Sequence, residues 1–310
     1  MKQKLKLLLE YEANKYRRKG LIPSIFGIIL FITLPIIIKF VVQEIYISVM
    51  NFKFINYEIM IIIGLPLFHF IIFMIYNLAY FILYYYNPYF VRKFKCNQNE
   101  WPFNDINIWT ALKQSSILQL GLNILVINPL LAYFSHTLKP INFEYEINKF
   151  PDLFTICIQI SFFFFVNDFI FHFSHKMLHT NYFYKAIHYK HHEYKTPISI
   201  SAEYAHPIEY LIGNIIPASL GPFILFICYY EVHIITLMMW IIIGIGATIE
   251  QHSGYEFPFS PFNIIPFTFT TYYHDFHHTR FKGNYSSNLI LWDFIFSNNI
   301  EYMNHFNKLI

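Results

Sequence analysis

Residues 153–192 read LFTICIQISFFFFVNDFIFHFSHKMLHTNYFYKAIHYKHH. The first half, to residue 171, is an apolar run of the length a helix needs to cross a bilayer core of about 30 Å. The second half holds six histidines. Together they predict a membrane helix that delivers imidazoles to one face of a bilayer.

The rest of the chain repeats both features. Of 310 residues 55% are hydrophobic and only 13% charged, against about 25% charged in soluble domains. That composition excludes intrinsic disorder and a nucleic-acid-binding surface. The net charge of +3 is too balanced to imply a polyanionic partner. Three cysteines, Cys96, Cys157 and Cys228, give no disulfide framework, zinc ribbon or CxxC motif. Six stretches have spanning length: 21–43, 59–85, 115–135, 153–171, 208–228 and 232–249. The first follows a charged segment, runs long and lacks a small-residue cleavage site, so it reads as a span and not a leader. The fold class expected is all-α, a polytopic membrane protein with a helical histidine-box metal domain on its cytosolic face. Residues 1–110 form an N-terminal membrane region, a basic tail plus two spans, and residues 111–310 a catalytic region.

Charge sets the orientation. Of 22 Lys and Arg, 18 fall in the N-terminal tail, the segments after the second and fourth spans, and the C-terminal region. The opposite loops carry three, Lys53, Lys139 and Lys149, and Lys39 lies in a span end. The positive-inside rule then puts both termini in the cytosol. Residues 172–207 and 250–310 emerge on that same side even if the pair of spans between them is a shallow hairpin.

Twelve of the 15 histidines lie between His172 and His278. They form an HxxxH, His175 and His179, and two HxxHH runs: His188, His191, His192 and His274, His277, His278. Positions i, i+3 and i+4 of a helix share a face, so each run is expected to aim its imidazoles at one point. With His252 and His206 standing between the clusters, the count asks for two metals. Imidazole suits several transition metals, and a set without cysteine fits an oxygen-activating non-haem iron centre better than structural zinc. His69, His136, His233 and His305 read as interfacial residues.

At these residues the chain resembles the fatty acid hydroxylase / sterol desaturase superfamily over roughly residues 160–300. The strings SAEYAHP at 201–207, HSGYEFP at 252–258, HDFHH at 274–278 with GNY at 283–285, and Trp292-Asp293 are most like the C-4 methylsterol monooxygenases. That resemblance implies a mixed-function oxidase in the endoplasmic reticulum membrane. Electrons from NAD(P)H, brought by cytochrome b5 or its reductase, reduce two irons that activate O2 and oxidise an unactivated methyl group. It implies metal ligation by His175, His179, His188, His191, His192, His252, His274, His277 and His278, with His206 and His172 as further candidates. The first box has Lys176 where the family commonly has Arg, and residues 1–110 carry no match.

No nucleotide-binding fingerprint or haem module is present, so electrons must come from an external carrier. Asp168, Glu250 and Asp275 adjoin the boxes and are expected to orient imidazoles by accepting their second N–H, with Glu193 and Glu203 as alternatives. A lipid substrate is expected to reach the metals from the bilayer, over a floor made by residues 162–173 and 208–216, Gly213 among them. Tyr204, Tyr255 and Tyr273 are candidates to hold a sterol hydroxyl. A sister desaturase, sterol side-chain oxidase or lipid hydroxylase shares this signature. A metal transporter is the reading from another class, but its site would lie at mid-bilayer.

Overall fold

Apolar runs in a bilayer leave the backbone no partner but itself, which forces helices. The computed structural model describes residues 2–52, 54–96, 108–130, 133, 143–228 and 230–308. We number the main helices α1 (Lys2–Lys19), α2 (Leu21–Met50), α3 (Tyr57–Tyr86), α4 (Ile108–Ser116), α5 (Leu153–Leu178), α6 (Pro207–Ile227), α7 (Ile234–His252), α8 (Thr271–Arg280) and α9 (Ile300–Lys308). Among the described residues the only strand-like pairings are isolated bridges, such as Thr268 with Leu289. Five helices, α2, α3, α5, α6 and α7, are long and apolar enough to cross a membrane, and the protein is a multi-pass membrane protein. The sixth expected span begins in α4 and continues as a π-helix, Ile117–Ile127. Most of its last five residues lie outside the described ones.

Prolines shape these spans. Three π-helical stretches, Met60–Gly64, Ile117–Ile127 and Tyr210–Ile215, each end two residues before a proline: Pro66, Pro129 and Pro217. Proline has no N–H and crowds the carbonyl four residues back. Widening the preceding turn relieves that conflict. Neighbouring helices satisfy what is left. Asn128 donates to the Ile61 carbonyl at 3.0 Å, and the Trp240 indole donates to Ala218 O, four residues before Pro222.

Helix ends are capped by side chains. Asp152 Oδ1 accepts Thr155 N–H at the start of α5, and Thr270 Oγ1 accepts Tyr273 N–H at the start of α8. The core lies where α2, α5 and α7 meet, with Val42, Tyr46, Ile156, Phe163, Ile235 and Met239 fully buried. The α5–α6 crossing needs glycine, because a Cβ on Gly221 would sit 2.9 Å from Phe163 Cα. Most of α7 is enclosed, whereas α2 turns nearly all of its apolar surface outward.

The basic tail is a packed helix. Leu8 and Tyr11 of α1 join Tyr302, Met303 and Phe306 of α9 in one buried cluster. Lys15 Nζ donates to Thr268 O and pairs with Glu12 at 3.0 Å, and Lys19 Nζ donates to Asn263 O at 2.6 Å. Burial pushes the Lys19 ammonium down to about 8. The chain's two ends therefore sit together, beside the helix that carries the last histidine box.

Candidate metal centre

Four elements bring histidines to one place. α5 contributes His175 and its C-cap residue His179, and α7 ends at His252. A 3-10 turn, His188–Glu193, carries His188, His191 and His192, while α8 presents His274, His277 and His278. Their nitrogens gather in two groups, each with its ligand atoms within 4.8 Å of one another. Group one is His175, His179, His188, His192 and His277; group two is His191, His252, His274 and His278. The groups adjoin, the His192 and His278 rings lying 4.5 Å apart.

Each HxxHH run is thus divided between the groups, not aimed at one point. Adjacent residues stand about 100–120° apart around a helix axis, so His191 and His192 cannot face the same way. Residues i and i+4 stay together, and the i+3 residue reaches across.

Backbone carbonyls set the tautomers. Nδ1 of His175 donates to Tyr285 O at 2.9 Å, His277 to Gly283 O at 2.7 Å, His278 to Tyr194 O at 3.0 Å, His252 to Thr248 O at 2.8 Å and His191 to Tyr204 O at 3.2 Å. His188 Nδ1 donates to Glu209 Oε1 at 2.7 Å. With those protons placed on Nδ1, the Nε2 lone pairs point inward. They meet at close range: His188 to His179 at 2.9 Å, His192 to His188 at 3.0 Å, His274 to His252 at 2.8 Å and His278 to His274 at 2.9 Å. Burial also holds the rings neutral, pushing His188 down to about 3 and His191 and His277 to about 4. Converging lone pairs that cannot be protonated repel unless a cation stands between them. The donor set therefore fits metal ions, five nitrogens for one and four for a second.

The other expected residues are placed elsewhere. His172 faces Asp293 at 3.3 Å and stacks on Phe296. His206 caps α6, its Nδ1 accepting Ile208 N–H. Neither joins a group. Asp168 accepts backbone N–H groups of residues 287–289, Glu250 faces Ser260 and Lys19, and Asp275 Oδ1 has no partner among the described atoms. None of the three holds a grouped imidazole. Glu193 takes the Tyr204 hydroxyl, and Glu203 pairs with His69 at 3.2 Å. His136 lies outside the described residues. The imidazole-orienting carboxylate is Glu209, which sequence reasoning passed over. Its signal was a charge two residues into an apolar span, where an ionised group needs a partner.

A cavity of about 1420 Å³ runs from His175, His188, His191, His252 and His274 along α5, α6 and α7 to Glu144 and Glu231. Its size exceeds that of ordinary drug-sized pockets. Gly213 lines it, as do Asn167, Phe171 and Leu178. Tyr204, Tyr255 and Tyr273 do not. Tyr204 is turned to Glu193, Tyr255 stacks on Tyr84, and Tyr273 donates to Asp293 at 2.7 Å. Polar groups come instead from Tyr210, whose hydroxyl accepts from Asn123 at 2.9 Å, and from the His69–Glu203 pair.

Comparison with known proteins bears on these same residues. The fatty acid hydroxylase family model matches residues 160–298, a stretch holding all nine grouped histidines. The very-long-chain aldehyde decarbonylase GL1-11 of Oryza sativa subsp. indica is 38% identical over 161 residues, 50% of this chain and 57% of that protein. Methylsterol monooxygenase erg25B of Aspergillus fumigatus is 42% identical over 147 residues, 47% of this chain and 49% of its own. The chain thus spans about half the length of such relatives. A putative methylsterol monooxygenase of Dictyostelium discoideum is 33% identical over 216 residues, 69% of this chain and 74% of that protein. No solved structure matches the chain. With identity at this level over most of a relative's length, and the family match falling on the residues that build both histidine groups, the chain belongs to the fatty acid hydroxylase family.

Proposed function

We propose that the protein is a di-iron mixed-function oxidase that oxidises a C-4 methyl group of a sterol in sterol biosynthesis. It would work in the endoplasmic reticulum membrane with both termini cytosolic, taking NAD(P)H electrons through cytochrome b5 or its reductase. The observation that carries this reading is the pair of adjoining all-imidazole groups at the head of a large cavity between membrane helices. Two irons bound there would supply O2 activation and removal of hydrogen from an unactivated C–H bond. The overall change balances as R–CH3 with O2, two electrons and two protons giving R–CH2OH and water.

The chain's own residues do the rest. His175, His179, His188, His192 and His277 would hold one iron, and His191, His252, His274 and His278 the other. Glu209 and the backbone carbonyls keep Nε2 of His175, His188, His191, His252, His277 and His278 aimed inward. Leu178, Gly213 and Phe171 press a hydrophobic substrate against the histidines and keep water out. Tyr210 and Asn123 can hold a single hydroxyl, which in a 4-methylsterol lies on the carbon next to C-4. Rate then depends on holding the methyl within reach of the oxidant.

The experiment is turnover of a 4,4-dimethylsterol by purified protein in lipid nanodiscs with cytochrome b5, its reductase, NADH and O2. The expected product carries oxygen on the C-4 methyl, and iron is expected at two per chain. Turnover of a fatty aldehyde or straight-chain lipid alone would replace the sterol reading with one drawn from the aldehyde decarbonylase relatives.

A further inference from the structure

Residues 283–289 form a loop whose Tyr285 ring packs against His175, His179 and His277, and two of those rings also depend on its backbone. Gly283 O fixes His277 and Tyr285 O fixes His175, both in group one. The loop lies outside any helix. Its amides are instead gripped by two fully buried carboxylates. Asp293 accepts Tyr285 N–H at Oδ1 (3.0 Å) and Ser286 N–H at Oδ2 (2.7 Å). Asp168 Oδ1 accepts the N–H groups of Ser287, Asn288 and Leu289 at 3.1, 2.5 and 3.1 Å. Five successive amides thus converge on two carboxylates, and an ionised carboxylate holds such bonds about twice as strongly as a neutral acceptor.

Group two is built differently. His191, His252 and His278 are oriented by the carbonyls of Tyr204, Thr248 and Tyr194, none of them in the loop. Slackening of residues 283–289 therefore acts directly on the rings of group one, and meets group two only through the Gln251 bonds to Ser287 and Asn288 beside His252.

We propose that Asp293 and Asp168 are positioning residues for group one: they clamp the 283–289 loop so that its carbonyls aim His277 and His175 at that group's metal. This rests on the reading of the histidine groups as metal sites. His172, beside Asp293, belongs to the clamp and not to the ligands. The two carboxylates are not equivalent. Both oxygens of Asp293 accept, Oδ2 also taking the Tyr273 hydroxyl, so an asparagine there must turn an NH2 group against other donors. Asp168 Oδ2 has no hydrogen-bond partner among the described residues, so an amide NH2 placed there opposes no donor, though it finds no acceptor either.

The test is a Co(II) titration of the full-length, metal-stripped protein in detergent, read by d–d absorbance, with melting temperature measured in parallel. Unaltered protein is expected to bind two ions. Asp293→Asn should keep one ion at unaltered affinity and bind the other about 10- to 100-fold more weakly, the usual cost of losing an outer partner. Asp168→Asn should show a smaller shift at the same site. Adding Asp293→Asn to His277→Ala, which already empties that site, should leave the other site as it was, whereas adding it to His278→Ala should leave both sites impaired. Two ions held by Asp293→Asn at unaltered affinity, or both lost together, overturns the clamp. If Asp293→Asn does not accumulate, Asp168→Asn carries the same comparison, and its unaltered titration overturns the proposal. An unaltered protein that binds no pair of ions instead sinks the di-iron reading.

Discussion

His191 and His192 are neighbours in sequence and serve different groups, so single substitutions should act on one metal each. His191→Ala leaves group two with three nitrogens and His277→Ala leaves group one with four. Each should lose one metal per chain and lower turnover by more than the roughly 10–100-fold typical of an outer partner. His206→Ala should retain both metals, because that ring caps α6. Metal analysis of the three proteins checks this, and equal retention in all would remove the imidazole assignment. A second residue-scale prediction concerns pH. An unfolded histidine titrates near 6.5, but His188, His191 and His277 are held down to about 3–4 by burial. Between those values the unfolded chain binds more protons than the folded one. Stability of the metal-free protein should therefore be complete above about pH 7 and fall as pH drops through 6.5 towards 4. Melting temperatures of chelator-treated protein at pH 7.5 and 5 give the answer, and identical values would contradict buried neutral rings.

At the scale of elements, the π-helical turns matter most. Tyr210, Gly213, Asn214 and Ile215, in the widened turn before Pro217, line the cavity. A Cβ on Gly213 would meet only Glu209 Cγ at 3.8 Å and Leu178 Cδ1 at 3.9 Å, so alanine is tolerated and a larger side chain must enter the cavity. Gly213→Trp is expected to cut turnover of a bulky sterol at least tenfold more than that of a straight-chain lipid, measured side by side in the same membranes. Equal losses would mean that α6 does not shape the substrate space. The prolines and the rich apolar content of this span were legible in the sequence. That the turn before Pro217 is π-helical was not, since a proline in a span can be met by a widened turn or, as at Pro222, by a neighbour such as Trp240 taking up the freed carbonyl.

For the whole molecule the testable property is sidedness. α1 packs on α9, and the histidine groups draw on residues from 175 to 278 on that same end of the bundle. A glycosylation acceptor placed near residue 142 is expected to be modified in microsomes, and one near residue 196 or 298 is not. Modification at either of the latter would set the histidines in the lumen, away from a cytosolic electron carrier. The positive-charge count pointed the same way, reading the N-terminal lysines only as a basic cytosolic tail. Lys15 and Lys19 are instead buried against residues 263–268, a contact that pairs segments some 250 residues apart and leaves no local signature.

Spacing and composition alone determined that this chain would be helical, would cross a bilayer several times and would carry eight clustered histidines; the choice of His252 as a ninth came from the family resemblance. Those features follow from local rules: apolar run length, helical periodicity and charge bias act within a few turns of chain. Which histidines share a group, which carboxylate holds an imidazole and which tyrosine faces the cavity were decided only by tertiary packing. His172 and His206 have the same chemistry as the nine that gather. Asp168 and Glu250 have the same chemistry as Glu209. What separates them is where each side chain points once α5, α6, α7 and α8 have packed, and that direction is a property of the assembled helices, fixed by contacts between residues far apart in the chain.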